Sequence, residues 1–469
     1  MVIRHHTDAM SPASTNQHHI YTGRIIHSKT PTELQILQHG SIGVLPNGSI
    51  AFLHDQAISP NDLRTKYAHL GFSHAPLTTL PRHQFLFPGL IDTHLHAPQW
   101  PNLALGMDVT LKDWIETYTD PMEASYHDTE KARRVYSDVV KTTLRLGSTT
   151  VAYNTTMHVA ATNILTDCVL RAGQRAIVGK MCVTTGSTKG NWEGSSEEAL
   201  EGSEECVRYV RKMDPEGRLV RPCVQPRGGP YCPPDLMKGL GEQVGRYDGC
   251  YVQAHMCETE ADIERTLELH KGFTCYSDIY RAAGLLTTRT ILAHCIHLQP
   301  KDIRNIVETD AGVAHNPNSN TCLRDGICRV RDLLDAGIKV GLGTDCSAGY
   351  MPSIHSAMRS AAEVSRHLAM RTGEERYVLK FEELVYLATM GGARVLGMQD
   401  EVGNFGLGKR FDALVVDVRD VVGVDASLWE GEERGDAEAL VRKWVFCGDD
   451  GSIRMVFVDG KVVAGHDVA

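Results

Sequence analysis

Two histidines end an apolar run in the segment Pro88-Gly-Leu-Ile-Asp-Thr-His-Leu-His96. His94 and His96 are two residues apart, and side chains alternate across a β-strand, so both imidazoles are expected on the same side of a sheet. Two neutral imidazoles that converge on one point form part of a metal site, and zinc is the metal they most commonly hold. The competing interpretation is a chance pair in a chain with 22 histidines.

Three further polar residues directly follow short apolar runs that are typical of buried strands. They are His255 after Tyr251-Val-Gln-Ala254, His294 after Ile291-Leu-Ala293, and Asp345 after Gly341-Leu-Gly-Thr344. The carboxyl ends of parallel barrel strands meet at one face. These residues are therefore predicted to join His94 and His96 in a single metal centre.

Glu258 lies three residues after His255, near the start of the next predicted helix. A carboxylate at this point can face a metal without binding it, which suits it to move a proton between water and substrate. The alternative is an acidic residue that interacts favourably with the helix dipole. The proximity of His255 favours the proton shuttle.

The elements that must position these residues lie between about residues 88 and 395, where short apolar strands alternate with helical patterns. No glycine-rich phosphate-binding turn follows the first strand, so we predict a (β/α)8 TIM-like barrel, in the α/β class, and not a doubly wound sheet. The eight predicted strands are one that ends at Asp92, then Val151–Tyr153, Ala176–Val178, Val220–Val224, Tyr251–Ala254, Thr290–Ala293, Gly312–Ala314 and Val340–Leu342.

Both flanks of this region alternate short apolar runs with turn formers, such as Asn47-Gly48 and Asp459-Gly460. They are predicted to pair as one small β-sandwich domain. The predicted organisation is a disordered tail at 1–19, the N-terminal part of the β domain at 20–87, the metal-dependent hydrolase barrel at 88–395, and the C-terminal part of the β domain at 396–469.

The 469 residues are 42% hydrophobic and 23% charged, which excludes collagen-like and wholly disordered classes. With 58 acidic and 48 basic residues the net charge is −10, which argues against a nucleic-acid polymer as partner. No apolar run is long enough to span a bilayer, and the polar start lacks the core of a signal peptide, so we predict no membrane partner and a cytoplasmic location. Thirteen cysteines without a C-x-x-C pair argue against a disulfide framework.

With these motifs the chain resembles the amidohydrolase superfamily, in particular the guanine deaminases. The superfamily features are the His94-Leu-His96 segment, the strand-end histidines and Gly343-Thr-Asp345. The resemblance covers almost the whole chain after about residue 20. Segments similar to guanine deaminases in particular are His96-Ala-Pro-Gln99, Trp114–Glu123, Gly173–Lys180, Pro226-Arg227, Leu285–His294, Asn316–Asn320, Gly406–Ala413 and Cys447–Asp450.

The resemblance implies one Zn²⁺ per subunit, with His294 orienting the hydrolytic water, Asp345 aligning it and Glu258 shuttling protons. By the same analogy Gln99 and Arg227 hold the amide edge of a purine, and Arg227 reads its carbonyl oxygen. The resemblance also suggests a homodimer. The implied zinc ligands are His94, His96, His255 and Asp345.

The implied activity is zinc-dependent hydrolytic deamination of guanine to xanthine and ammonia, in purine catabolism or salvage, with an aminopurine and water as partners. Two segments depart from the family pattern. Arg227 is followed by Gly228-Gly229-Pro230 where an aromatic residue is usual, and Cys346-Ser347-Ala348 replaces a glycine-rich stretch. Tyr231 is a candidate for the missing stacking surface. These departures leave open another amino-substituted heterocycle, such as a pterin or modified purine, and a non-catalytic barrel paralogue is the third hypothesis.

Overall fold

The computed structural model describes residues 17–465. The predicted tail at 1–19 lies outside this range except for its last three residues, and His19 begins a strand. The described chain divides into two compact units. One contains the residues up to His27, then 35–89 and those from Phe405 onward; the other contains 28–34 and 90–404.

Eight parallel strands form the barrel of the larger unit, and they neighbour one another in chain order. The first and last strands meet where the Asp345 amide donates to the His94 carbonyl (2.9 Å) and the His96 amide donates to the Cys346 carbonyl (3.0 Å). The predicted (β/α)8 fold is therefore confirmed. The strands are Leu90–His96, Ser148–Asn154, Arg175–Val178, Val220–Pro226, Tyr251–Met256, Thr290–His294, Gly312–His315 and Lys339–Leu342, and the short strand Met181–Cys182 also pairs with the fourth.

The first barrel strand continues to His96, so the prediction that it ends at Asp92 is wrong. Polar residues interrupt the apolar run after Ile91, but all seven residues of the strand are buried. Asp92 explains part of this, because its carboxylate accepts hydrogen bonds from the amide of Thr344 (3.1 Å) and from its hydroxyl (2.6 Å). Both histidines consequently lie on the strand itself, on the same side.

The barrel interior is filled by one buried side chain from each of the first seven strands, packed against residues of the segment 393–402. The candidate site residues lie nearer the carboxyl ends of these strands, so the packed interior lies directly beneath the site. The seven interior residues are Ile91, Ala152, Ile177, Cys223, Tyr251, Ile291 and Ala314.

The helices follow ordinary sequence rules. Thr129–Arg145 begins where the Asp128 carboxylate accepts from two backbone amides, at 3.0 Å each, and it buries a face that includes Ala132, Tyr136 and Val139. Within residues 17–465 no helix has the length and apolar character needed to cross a membrane. The other α-helices are Pro60–Lys66, Leu111–Trp114, Asp120–Ala124, Val159–Ala172, Ser196–Met213, Pro234–Arg246, Glu260–Leu269, Tyr276–Ala282, Pro300–Thr309, Pro317–Cys322, Val330–Asp335, Ile354–Thr372, Phe381–Tyr386, Gly392–Val395, Ala426–Glu430 and Arg434–Cys447.

The smaller unit is built on a sheet that contains strands from both ends of the chain. Leu414 lies opposite Phe87 in antiparallel pairing, so the prediction that the terminal β segments pair is confirmed. Its C-terminal part also contains the helices Ala426–Glu430 and Arg434–Cys447, which the strand-like sequence texture did not predict. The strands are His19–Thr30, Glu33–Val44, Ile50–His54, Leu77–Thr79, Gln84–Pro88, Ala413–Asp417, Ile453–Val458 and Lys461–Ala464.

Two glycines of the helix Pro234–Arg246 provide a matched test of how closely this helix packs against the backbone at Ala283. A Cβ atom at Gly241 would lie 1.6 Å from the Ala283 carbonyl oxygen, whereas at Gly245 it would meet no atom within 4 Å. We expect Gly241→Ala to lower the free energy of unfolding by about 1–3 kcal/mol, because backbone must move. Gly245→Ala is expected to raise it by up to about 1 kcal/mol. Urea unfolding measures both, and an unchanged midpoint for Gly241→Ala would contradict the packing described.

Candidate active site

Five side chains from three barrel strands and one following loop converge at the carboxyl end of the barrel. The Nε2 atom of His96 lies 3.2 Å from that of His94 and 3.1 Å from that of His255. The Asp345 carboxylate lies 3.1 Å from His94 Nε2, 3.4 Å from His96 Nε2 and 3.7 Å from His294 Nε2. The structure thus brings together all four predicted zinc ligands and also His294.

Hydrogen bonds on the far side of three imidazoles determine which nitrogen faces the centre. Each Nδ1 atom lies beside an oxygen that can only accept, so Nδ1 carries the proton and Nε2 presents its lone pair. Gln253 and Asn320, which sequence reasoning did not assign, therefore orient His94 and His294. The pairs are His94 with Gln253 Oε1 (3.0 Å), His255 with the Arg227 carbonyl (2.5 Å) and His294 with Asn320 Oδ1 (2.9 Å).

This donor set fits a divalent cation. Burial, and then the neighbouring His94, lowers the pKa of His96 and of His255 well below the usual value, so both rings are neutral. Burial alone would raise the pKa of Asp345, but the nearby His294 and His94 rings hold it at about 2. His294 Nε2 is buried and has no hydrogen-bond partner among residues 17–465. Neutral imidazole lone pairs around an ionised carboxylate need a cation to complete them.

His294 and Asp345 have backbone φ angles of 74° and 47°, in the left-handed region that residues other than glycine rarely adopt. Such angles cost of order 1–3 kcal/mol each and are common where a functional side chain must be aimed. The surrounding barrel therefore holds both residues in conformations that they would not adopt by themselves.

Glu258 lies in the loop directly before the helix Glu260–Leu269. This agrees with the prediction that it is near the start of that helix. Its Oε1 atom is 3.4 Å from His294 Nε2, and the residue is only 8% exposed. Burial, and then the charges of Asp325 and Asp345, raises the pKa of Glu258 well above its ordinary value. A carboxyl group that can hold a proton beside the cluster is suited to general acid and base chemistry.

Gln99 and Arg227, the predicted substrate-binding pair, are held together by a residue that the sequence did not single out. The buried Glu123 carboxylate accepts from Gln99 Nε2 (2.9 Å), from Arg227 Nη1 (2.6 Å) and from Asn191 Nδ2 (2.8 Å). Gln99 Oε1 is consequently left buried, with no hydrogen-bond partner in the described part of the chain. The pair offers one acceptor and one charged donor side by side. The only signal for Glu123 was its place in the Trp114–Glu123 segment.

Tyr231 reaches the same cavity through the short 3₁₀ turn Gly229–Tyr231. The Arg227 guanidinium carbon lies 5.1 Å from the centre of its ring, within the range of a cation–π contact. Because two glycines follow Arg227, the sequence left open whether the pocket lacks an aromatic residue. Tyr231 supplies one. The cavity has a volume of about 800 Å³ and is lined by these residues together with Glu258 and Asp345.

The chain is similar to known proteins over almost its whole length. Residues 85–463 match the model of the amidohydrolase family. The chain is 40% identical over 449 residues to a probable guanine deaminase of Schizosaccharomyces pombe, covering 96% of this chain and 84% of the relative. It is 36% identical to the guanine deaminase of Rattus norvegicus, over 95% and 96% of the two chains. A guanine deaminase structure from C. acetobutylicum with bound guanine superposes with a TM-score of 0.85 at 30% identity, over 96% of this chain and all of the other.

Metal binding provides a direct test of the site. We expect the purified protein to hold about one divalent cation per chain and to unfold at a higher temperature with it than after chelation, because the ion binds only the folded state. His255→Asn is expected to lose most of the metal and this difference. His367→Asn, an exposed histidine on the helix Ile354–Thr372, is the matched control. Elemental analysis with thermal unfolding decides, and equal metal content in both variants would contradict the site.

Proposed function

The chain belongs to the amidohydrolase family, and to the guanine deaminases within it, and from this we propose that it hydrolyses guanine to xanthine and ammonia. It is a hydrolase that acts on C–N bonds. The observation that carries the proposal is the Gln99–Glu123–Arg227 arrangement beside the histidine cluster. A non-catalytic paralogue is not favoured, because all four predicted ligands lie together and are buried or partly buried.

The free atoms of Gln99 and Arg227 match one edge of guanine. In the base, the N1–H group donates a hydrogen bond and the adjacent C6 carbonyl accepts one. Gln99 Oε1 is the unused acceptor, and Arg227 is a charged donor whose geometry suits a carbonyl oxygen. Burial lowers the pKa of Arg227, but the nearby Glu123 and Tyr231 raise this pKa by more than burial lowers it. The guanidinium therefore stays charged. This match supports guanine, and a pterin with the same edge is the alternative.

The amidohydrolase family is metal-dependent, and we propose that the metal here is zinc, one ion per subunit. His94, His96, His255 and Asp345 would hold it. When bound, the ion supplies Lewis acidity that makes water a competent nucleophile at neutral pH. Within the site, His294 and the ionised Asp345 orient the attacking water towards C2 of the base.

Glu258 moves the protons of the reaction. It takes a proton from the attacking water and delivers it to N3, the ring nitrogen beside C2. A C2–O bond forms, and Glu258, ionised again after protonating N3, takes the second water proton from the C2 hydroxyl and passes it to the exocyclic amine. The bond between C2 and this nitrogen then breaks, and the amine leaves as ammonia. The product keeps oxygen at C2, which gives xanthine, and no organic cofactor is needed. A role in purine catabolism or salvage, a homodimeric state and a cytoplasmic location remain predictions from the family resemblance.

The first experiment is ammonia release from guanine by the zinc-loaded protein. We expect steady release by the wild type and a loss of about 10²–10⁴-fold in Glu258→Gln, because the amide cannot exchange protons. Glu260→Gln, exposed at the start of the next helix, is the control and should behave as the wild type. Pterin and adenine are tested in parallel. No release from guanine by metal-loaded protein would contradict the proposal, and turnover of a pterin alone would replace the substrate.

A second experiment tests the role of Glu123. In Glu123→Gln the buried Arg227 loses its closest charge partner, so the edge-reading pair is no longer held in place. We expect kcat/KM for guanine to fall by about 30-fold or more, with most of the change in KM. Glu130→Gln, an exposed glutamate on the helix Thr129–Arg145, should leave both constants unchanged. A variant that alters kcat alone would argue against a positioning role.

A further inference from the structure

Asp325 is a buried carboxylate in the active-site cavity that no step of the proposed reaction uses. It follows the short helix Pro317–Cys322, which itself follows the seventh barrel strand, and it is 7% exposed. Its Oδ2 atom is buried without a hydrogen-bond partner among residues 17–465. The backbone is held in place, because the Asp325 carbonyl lies 2.7 Å from His297 Nε2. A buried carboxylate without a donor is costly, so a ligand that supplies one would bind favourably there.

The order of the barrel strands places Asp325 opposite the residues that hold the amide edge. Gln99 follows the first strand and Arg227 follows the fourth, and both contact Glu123, so this pair belongs to the side of the barrel mouth formed by the first four strands. In a ring of eight strands the seventh lies across from the third. A flat base held at one rim by Gln99 and Arg227 therefore directs its other edge towards Asp325.

That other edge has a defined chemistry in guanine. The side opposite N1–H and the C6 carbonyl carries N3 and, next to it, the N9–H group. Glu258 serves N3 in the proposed reaction, so the next donor along the edge is N9–H. Asp325 and Glu258 line the same cavity, in the loops that follow the seventh and the fifth strands.

We propose that Asp325 accepts a hydrogen bond from N9–H of the purine and thereby restricts the enzyme to the free base. This inference rests on the proposed function. A purine substituted at N9, as in a nucleoside or nucleotide, has no hydrogen to donate and brings its substituent against the buried carboxylate. Asp325 is thus a specificity-determining residue that acts at the edge away from the reacting carbon.

The test compares guanine with 9-methylguanine, which differs only at this position. We expect the wild type to prefer guanine by about 100-fold or more in kcat/KM, because the methyl compound leaves Asp325 unpaired. In Asp325→Ala the value for guanine should fall by about 10–100-fold while that for 9-methylguanine stays or rises, so the preference largely disappears. Asp325→Asn keeps an acceptor and the size of the side chain and should retain part of the preference. Asp335→Asn, an exposed aspartate, is the control.

If the preference for guanine is the same in the wild type and in Asp325→Ala, the inference is overturned. The variant would then be folded and active, yet its preference would not depend on the carboxylate. Calorimetric binding of the two bases to the same proteins separates this result from a failure of the proposed function. If the wild type binds guanine without deaminating it, the binding preference and its loss in Asp325→Ala still decide the role of Asp325. If the wild type binds neither base, both proposals are wrong.

Discussion

The whole site depends on one electrostatic constraint: several imidazoles must stay neutral and turn their lone pairs towards each other inside a buried space. Without a cation, these lone pairs have no positive charge to attract them. It is held because Gln253, Asn320 and the Arg227 carbonyl accept from the opposite nitrogens of the rings. The barrel supplies these acceptors from strands and loops next to the ligands. The arrangement is thus prepared for a cation before any ion arrives.

The histidine cluster and the proposed substrate-binding pair are joined through shared residues. The Arg227 carbonyl orients His255 while the Arg227 guanidinium contacts Glu123, so one residue contacts both parts of the site. Asn191 contacts Glu123 and also Asp120, which accepts from the Thr188 amide at 2.6 Å. The segment that contains Thr188 and Asn191 is therefore connected to Glu123, which contacts Gln99 and Arg227.

Much of the fold and the grouping of the candidate ligands could be predicted, because the signals are local. Apolar runs followed by a polar residue identified His255 and His294, and the two-residue spacing identified His94 and His96. The end of the first strand was misplaced because Asp92 looks like a surface residue until its partner Thr344, 252 positions away, is known. Glu123 was missed for the same reason, since Arg227 lies 104 positions further along the chain. The helix Arg434–Cys447 was missed because the whole C-terminal flank was interpreted as a β domain from its short apolar runs and turn formers.

The hydrogen bond from the Asp345 amide to the His94 carbonyl joins the two ends of the barrel at the metal site itself. During synthesis the ligands therefore cannot assemble until the chain has been made past residue 345. Loop closure over such a separation is slow and entropically costly, so it belongs to the late part of folding. An ion that binds all the ligands together can only select chains that have completed this closure. Because the ligands are already oriented when closure is complete, binding of the ion would stabilise the closed barrel and is not required to form it.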